Sequence, residues 1–230
     1  MMLTVDVAAP GNRLRDLRTD MTYPPRLILK SFLDASYRVE WWFNRLTTEP
    51  YRFTFQDDTF SRGALSDPSA PFDALRWLKE IWKGPIVVKG TQALDEAKRA
   101  SDFGADGIVL SSRRKQLDRT RPPLHLLPDA VAAVGARTDI TIDTGIRAGP
   151  DIVVCIALGA KFTWVGRAYL YGLMAGGEAG VDRDIAILRS EVKRMMLLLG
   201  VARTADLNPG HVQLLARAFP LARLSPIPTR

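Results

Sequence analysis

A regular alternation of short apolar segments with helical segments constrains this chain more than any other feature of its sequence. Four apolar segments follow one another between residues 85 and 165, and a fifth opens the chain. Strands that alternate with helices form parallel βαβ units, whose strands are apolar on both faces because helices cover the sheet. The sequence therefore predicts an α/β fold with about five parallel strands, at residues 3–7, 85–89, 107–110, 140–143 and 162–165.

Helical segments separate these strands, and residues 1–230 are predicted to form a single domain because no change of composition marks a boundary. Residues 47–71 are rich in proline and polar residues and are predicted to form a long loop that is functional or mobile. A proline-containing C-terminal tail is predicted at residues 216–230. The predicted helices span residues 27–46, 72–82, 93–103, 126–134, 150–158 and 169–200.

Two architectures can use five parallel strands of this kind. A closed (β/α)8 barrel needs eight strands, so a chain with five of them would carry only part of a barrel. An open, doubly wound sheet can be built from five strands with helices on both faces. The pattern of strands and helices leaves both architectures open.

The charge of the chain favours an anionic partner. Lys and Arg outnumber Asp and Glu by 32 to 25, which gives a net charge of +7. A nucleic acid or an acidic membrane surface would suit such a chain, but this interpretation rests on net charge alone, and no run of five basic residues occurs. We therefore favour scattered surface arginines with an anionic ligand, and we expect no nucleic-acid partner.

The sequence predicts neither a signal peptide nor a membrane-spanning segment. Residues 1–6 lack the basic start of a signal peptide, and the longest apolar run, Ile152–Leu158, is far shorter than the roughly 20 residues that cross a bilayer. The single cysteine, Cys155, excludes an internal disulfide and fits a reducing compartment. We expect a cytoplasmic protein, and attachment to the inner face of the membrane stays open.

Polar and charged residues follow the predicted strands at their carboxyl ends. In chain order they are Asp6, Lys89, Ser111–Lys115, Asp143 and Gly166–Arg167. In a (β/α)8 barrel the active site lies at this end of the strands. Each residue alone could be an ordinary polar strand end, but five in the same position favour a functional site.

The residues after the fourth and fifth predicted strands are typical of a phosphate site. Asp143–Gly149 opens a helix, and its glycines would let the backbone approach a ligand closely. The start of a helix offers free N–H groups to an anion, and Arg147 adds a two-pronged donor. Gly166 and Arg167 form a second such turn. The alternative is a pair of glycine turns with surface arginines.

Other candidate residues have a structural interpretation. Lys89 could bind negative charge on a cofactor or extend its ammonium to solvent from a strand end. His125 and His211 lie away from the strand ends, and Cys155 lies on an apolar helix, so all three are predicted to be structural. The Trp41–Trp42 pair is predicted to belong to the core or an interface. No spacing of His, Cys or acidic residues predicts a metal site.

Several of these segments together resemble the flavin-mononucleotide-dependent 2-hydroxy-acid oxidase and dehydrogenase family, which includes glycolate oxidase, lactate oxidase, lactate monooxygenase and L-lactate dehydrogenase. The resemblance covers nearly all of residues 3–215, and Val165–Gly180 is most similar to the L-lactate dehydrogenase branch. It is carried by Pro85–Gly90, Gly104–Ile108, Gln116–Asp118, Asp143–Arg147, Ala157–Ala160 and Gly166–Arg167.

The resemblance implies a (β/α)8 barrel that binds FMN and oxidises a short 2-hydroxy acid such as L-lactate to the 2-oxo acid. It also implies a homo-oligomer, and it leaves the electron acceptor open among oxygen, a quinone and a cytochrome. By resemblance Asp6 would orient the catalytic base and Arg13 would bind the substrate carboxylate. The residues implied to contact FMN are Thr4, Lys89 and Ser111 near the ring, and Asp143, Gly145, Arg147, Gly166 and Arg167 near the ribityl chain and phosphate.

One departure from the family lies in the signature loop, which reads Ser-Asn-His-Gly-Gly-Arg-Gln in family members. Here Ser111–Gln116 is one residue shorter, Arg113 stands at the position of the catalytic histidine, and Lys115 stands at that of a carboxylate-binding arginine. Arginine stays protonated and cannot act as a general base, whose loss costs about 10²–10⁴-fold in rate. We expect impaired oxidation, and the alternative is a non-catalytic remnant that keeps part of the FMN site.

A second departure lies at the start of the chain. Family members carry a preceding segment that supplies the first three barrel strands, so the strands predicted here correspond to strands 4–8. We therefore expect a partial barrel with an exposed sheet edge, which is a site where chains aggregate.

Overall fold

The computed structural model describes residues 1–5, 18, 29–49, 73–112 and 122–214. Several sequence predictions fall outside this part of the chain. They are the site residues Asp6, Arg13, Arg113 and Lys115, the predicted loop beyond Glu49, and the predicted tail at residues 216–230.

Five strands form one sheet in the order β1–β2–β3–β4–β5, and every neighbouring pair is parallel. This confirms the predicted α/β fold with five parallel strands. Spatial order follows chain order without a reversal, whereas a doubly wound sheet reverses its order at a switch point. The open doubly wound alternative is therefore wrong. The strands are β1 (Met2–Thr4), β2 (Val87–Thr91), β3 (Gly107–Leu110), β4 (Asp139–Ile142) and β5 (Phe162–Thr163).

Seven helices lie in the described part of the chain, and the four that alternate with β2 to β5 match their predictions to within one residue. Short 3-10 turns occupy Pro123–His125, Thr204–Asp206 and Pro209–His211. The helices are α1 (Leu29–Ala35), α2 (Val39–Thr47), α3 (Asp73–Ile81), α4 (Leu94–Asp102), α5 (Leu127–Val134), α6 (Gly149–Ala157) and α7 (Arg167–Leu198).

The core lies between the sheet and the helices that follow its strands. All four residues of the central strand β3 are buried, as expected for a parallel strand covered on both faces. Cys155 also belongs to this core, which agrees with its predicted structural role. Burial of each large apolar side chain contributes about 1.5–3 kcal/mol. The largest fully buried members are Leu75, Ile86, Val88, Ile108, Leu110, Leu127, Ile140 and Ile142.

The helix predicted at residues 27–46 is divided into α1 and α2. The Ser36 hydroxyl donates to the Leu33 carbonyl at 2.7 Å, and serine that bonds the backbone in this way competes with helical hydrogen bonds. The Trp42 indole N–H then donates to the Ala35 carbonyl at 2.9 Å, which fixes the turn. Helix α2 buries no residue. Of the two roles predicted for the Trp41–Trp42 pair, the core is therefore excluded, and the interface stays a prediction.

The long helix predicted at residues 169–200 is also interrupted. Gly176 and Gly177 leave the helical conformation, and Gly177 has φ +58°, which glycine adopts without steric cost. Helix α7 therefore has a first arm that ends before Gly176 and a second arm that starts after Gly177. The two arms contact each other at Gly172 and Gly180, where a Cβ on Gly180 would collide with the Gly172 carbonyl.

Candidate cofactor site at the strand ends

The predicted cofactor residues that lie in the described part of the chain all gather at one edge of the sheet. Thr4 pairs with Lys89 in the register of β1 and β2. Ser111 follows β3, and its N–H donates to the Thr91 carbonyl at 3.2 Å. Asp143 follows β4, and its N–H donates to the Leu110 carbonyl at 3.0 Å. Because the strands are parallel, these residues share the carboxyl edge with the turn after β5.

Lys89 and Asp143 form an ion pair across the central strand. Their Nζ and Oδ2 atoms are 3.5 Å apart, and the side chains are 30% and 18% exposed. Lys89 was predicted to end its strand, but β2 continues for two residues to Thr91. Gly90 (φ +109°) makes this possible, because the register shifts there in a bulge that favours glycine.

A threonine that the sequence analysis missed completes this network. The Thr144 hydroxyl donates to Asp143 Oδ1 at 2.8 Å and accepts from the Ser112 N–H at 3.4 Å. Thr144 has φ +71°, a conformation that β-branched residues seldom adopt. One feature of the sequence could have drawn attention to Thr144. It is a β-branched residue between Asp143 and Gly145, in a turn that directly follows a strand.

A cavity of about 180 Å³ lies behind these strand ends, and Ser112, Thr144 and Gly145 line it. The Ser112 hydroxyl oxygen is buried and has no hydrogen-bond partner within the described residues. Cys155 lies on the same cavity, but burial raises the pKa of its thiol to about 12. The Cys155 thiol therefore stays protonated near neutral pH and is no nucleophile.

The start of helix α6 differs from its prediction. Asp151 Oδ2 accepts from the N–H groups of Arg147 and Ala148 at 2.9 and 3.0 Å, and Glu191 Oε2 accepts from the Gly149 N–H at 2.7 Å. The prediction of free N–H groups is wrong for these three residues, because carboxylates of the protein already satisfy them.

The turns after β4 and β5 keep open space for an anion. A Cβ built on Gly145 or Gly166 would meet no atom of the described residues within 4 Å. Arg147 and Arg167 are both exposed beside these glycines. Two guanidinium groups next to open glycine turns form a donor set that suits a phosphate.

Comparison with known proteins decides the family. The sequence profile of the FMN-dependent dehydrogenases matches residues 1–214. The chain belongs to this family. Its predicted place among the (β/α)8 barrel proteins is thereby confirmed, with the five described strands forming part of the barrel.

Several proteins similar to this chain are longer than it is. A Mycobacterium tuberculosis relative, provisionally named L-lactate dehydrogenase, is 51% identical, and the match covers 96% of this chain and 55% of the relative. The L-lactate dehydrogenase of Caulobacter vibrioides is 35% identical over 90% of this chain and 57% of the relative. A crystal structure of the monotopic membrane protein (S)-mandelate dehydrogenase superposes with a TM-score of 0.84 at 35% identity, covering 92% of this chain and 59% of that one.

The strand-end residues of this chain fit FMN, the cofactor of the family. FMN carries a phosphate, a hydroxylated ribityl chain and a ring that becomes more negative when reduced. The turns with Arg147 and Arg167 suit the phosphate, the Asp143 carboxylate suits hydroxyl groups, and the Lys89 ammonium suits the ring. The family's cofactor and the donor set thus agree.

Over residues that the structure describes, no cluster of three His, Cys, Asp or Glu side chains could hold a metal ion. Within the same residues, no helix is long and apolar enough to cross a membrane.

Proposed function

We propose that this chain forms the FMN-binding part of an enzyme that oxidises a short 2-hydroxy acid, similar to L-lactate, to the 2-oxo acid. The observation that carries the proposal is the row of strand-end groups, with the Lys89–Asp143 ion pair beside two open glycine turns. The names of the bacterial relatives support the substrate class. The chain spans little more than half of those relatives, so the activity is a proposal for the whole protein.

In this proposal, each strand-end residue of the chain contacts one part of FMN. Arg147 and Arg167 bind the phosphate, and Asp143 accepts hydrogen bonds from ribityl hydroxyls. Thr4, Lys89 and Ser111 lie beside the ring, where the Lys89 ammonium stabilises added negative charge. Bound FMN would supply the hydride acceptor for the substrate carbon.

Substrate binding and proton removal are assigned by resemblance to residues outside the described part of the chain. Arg13 and Lys115 would attract the substrate carboxylate, and Asp6 would orient the group at position 113. That group is Arg113, a cation that cannot take the hydroxyl proton. We therefore propose slow turnover, and Arg113 also favours the second candidate, a protein that binds FMN without oxidising a substrate.

The absorption spectrum of the purified protein with excess FMN, recorded before and after addition of L-lactate, tests these proposals. A bound flavin band that bleaches with L-lactate supports the oxidase or dehydrogenase, and a band that never bleaches supports the non-catalytic alternative. Absence of bound flavin would contradict both. R147Q and R167Q should each weaken FMN binding, whereas K98Q, which removes an exposed lysine on α4, is the matched control.

We also propose that the protein attaches to a membrane surface through α1 and α2. The solved (S)-mandelate dehydrogenase is named a monotopic membrane protein. On this chain, Phe32, Trp41 and Phe43 are 48%, 42% and 66% exposed. Arg38 lies between Phe32 and Trp41 in sequence, and Arg45 follows Phe43. Exposed aromatic residues with interspersed cations are typical of helices that lie in the interface of an anionic membrane.

Flotation with vesicles that contain anionic phospholipid tests the attachment. The parent should float with the vesicles, and W41S/F43S should lose this binding. W77S is the matched control, because Trp77 on α3 is also exposed, at 58%. Equal flotation of the parent and W41S/F43S would contradict the proposal. An assembly into homo-oligomers, implied by the family, is a further proposal that sedimentation velocity would test.

A further inference from the structure

Thr144 has a backbone conformation that its side chain disfavours. Its φ is +71°, and among the described residues it is the only non-glycine residue with positive φ. A branched Cβ crowds the carbonyl oxygen in this conformation, so a β-branched residue there is a clear outlier. Such strain collects at functional sites, where the surrounding structure enforces it.

The Thr144 hydroxyl connects the ends of two neighbouring strands. It accepts a long hydrogen bond of 3.4 Å from the N–H of Ser112, which follows β3, and donates one of 2.8 Å to Asp143 Oδ1, which follows β4. Glycine would adopt the same φ without strain but would offer neither contact.

The Asp143 carboxylate is divided between two partners. Oδ1 accepts from the Thr144 hydroxyl, and Oδ2 is 3.5 Å from Lys89 Nζ. A lysine side chain has four rotatable bonds and is a compact charge without a preferred plane. The position of the Lys89 ammonium therefore depends on the orientation of the Asp143 carboxylate, and that orientation depends on the Thr144 hydroxyl.

We propose that Thr144 is a positioning residue for FMN: its hydroxyl orients the Asp143 carboxylate, which fixes the Lys89 ammonium beside the flavin ring. This inference rests on the proposed function, in which FMN lies along the strand ends. The proposed role also explains why a residue other than glycine occupies this strained position: glycine would have no hydroxyl to orient Asp143.

Three variants separate the hydroxyl from the strain. FMN dissociation constants are measured by quenching of flavin fluorescence, and thermal midpoints are measured on the apoproteins. T144S should bind FMN like the parent, whereas T144A and T144G should both bind about tenfold more weakly, since each loses a hydrogen bond to a charged group. The T144G apoprotein should nevertheless melt at a higher temperature than T144A, because glycine accepts this φ. FMN binding by T144G equal to that of the parent would overturn the proposal.

A second set of variants tests whether Thr144 acts through Lys89. In a K89Q background, T144A should cause no further loss of FMN affinity, because the ammonium that it positions is already gone. An undiminished tenfold loss in K89Q would overturn the proposed route. If the parent protein binds no FMN, both the proposed function and this inference are overturned. If the parent and T144A bind FMN with equal affinity, only the role of Thr144 is overturned.

Discussion

Individual carboxylates in this partial barrel bind groups from two or more elements at once, and Asp106 is the clearest example. Its Oδ2 accepts from the Ile86 N–H at 2.8 Å and lies 3.4 Å from Lys79 Nζ, so one side chain joins β3, the start of β2 and α3. The hydrogen bond from Ile86 and the nearby Lys79 charge lower the pKa of Asp106, against a smaller opposing effect of burial.

The lowered pKa of Asp106 predicts a pH dependence of stability. The folded state favours the charged form, so its contribution is present above the unfolded pKa of about 4 and is lost as pH falls through the lower folded pKa. D106N should unfold with a flatter pH profile than the parent below about pH 4. The difference should stay under about 1 kcal/mol because the side chain is half exposed. Urea unfolding between pH 6 and pH 2.5 would measure it, and parallel profiles would contradict it.

Burial makes the opposite prediction for Cys155, whose thiol pKa is raised to about 12. Its contribution to stability is fully present below the unfolded thiol pKa of about 8.5 and is lost as pH rises towards the folded value. We expect a thiol reagent at pH 8 to leave the native protein unlabelled and to modify it rapidly in urea. Rapid labelling without denaturant would show that the thiol is accessible.

Residue-level prediction from the sequence succeeded at the carboxyl ends of the strands. Asp143 directly follows β4, and Lys89 lies in the last three residues of β2, because the direction of the chain fixes which end of a parallel strand leads into the next loop. Thr144 was missed because its role depends on φ +71° and on Ser112, 32 residues away. Neither can be obtained from local propensity. The Glu191 cap, 42 residues from Gly149, was missed for the same reason. The Asp151 cap was different, because an acidic third residue of a helix is a local capping signal that the sequence did carry.

At the scale of elements, short helices between strands were predictable, and long ones were not. Helices α3 to α6 each precede a strand, and the alternation of helices with strands gave their ends to within one residue. The predicted helices 27–46 and 169–200 were each divided, at Ser36–Arg38 and at Gly176–Gly177. Helical propensity summed over a long window does not detect a break of two or three residues.

The close approach of the two arms of α7 gives a matched pair of substitutions. G180A would place a Cβ against the Gly172 carbonyl, which is backbone and cannot move aside. We expect a loss of about 1–3 kcal/mol, as for other overpacked contacts. G176A, where φ is −161° and no atom of the described residues lies within 4 Å of the new Cβ, should change stability by less than about 0.5 kcal/mol. Urea unfolding compares the two, and equal losses would contradict the arm contact.

At the scale of the whole molecule, the two outer strands of the described sheet set its capacity to associate. Within the described residues, β1 and β5 each have a single neighbouring strand, and Met2 and Phe162 on them are 40% and 55% exposed. Unpaired edges with apolar side chains favour association with other chains. The parallel βαβ pattern predicted the five strands. It could not predict whether other segments cover the outer edges of β1 and β5.

A charge on the edge strand should reduce self-association. We expect F162K to raise the monomeric fraction of the purified chain, because a lysine on an edge strand opposes strand addition. A132K, on the exposed face of α5, adds the same charge away from the edge and is the control. Sedimentation velocity at several concentrations measures both, and equal distributions for F162K and A132K would show that β5 is not the associating edge.

The strand order also carries a consequence for synthesis on the ribosome. Strands β3, β4 and β5 each pair with a strand made shortly before them. Leu3 of β1, in contrast, pairs with Val88 of β2, which is 85 residues later. At roughly 5–20 residues per second, β1 waits on the order of 4–17 s for its partner. During that interval its apolar residues and backbone groups are open to chaperones and to other nascent chains, so β1 needs protection for longer than the other four strands of the sheet.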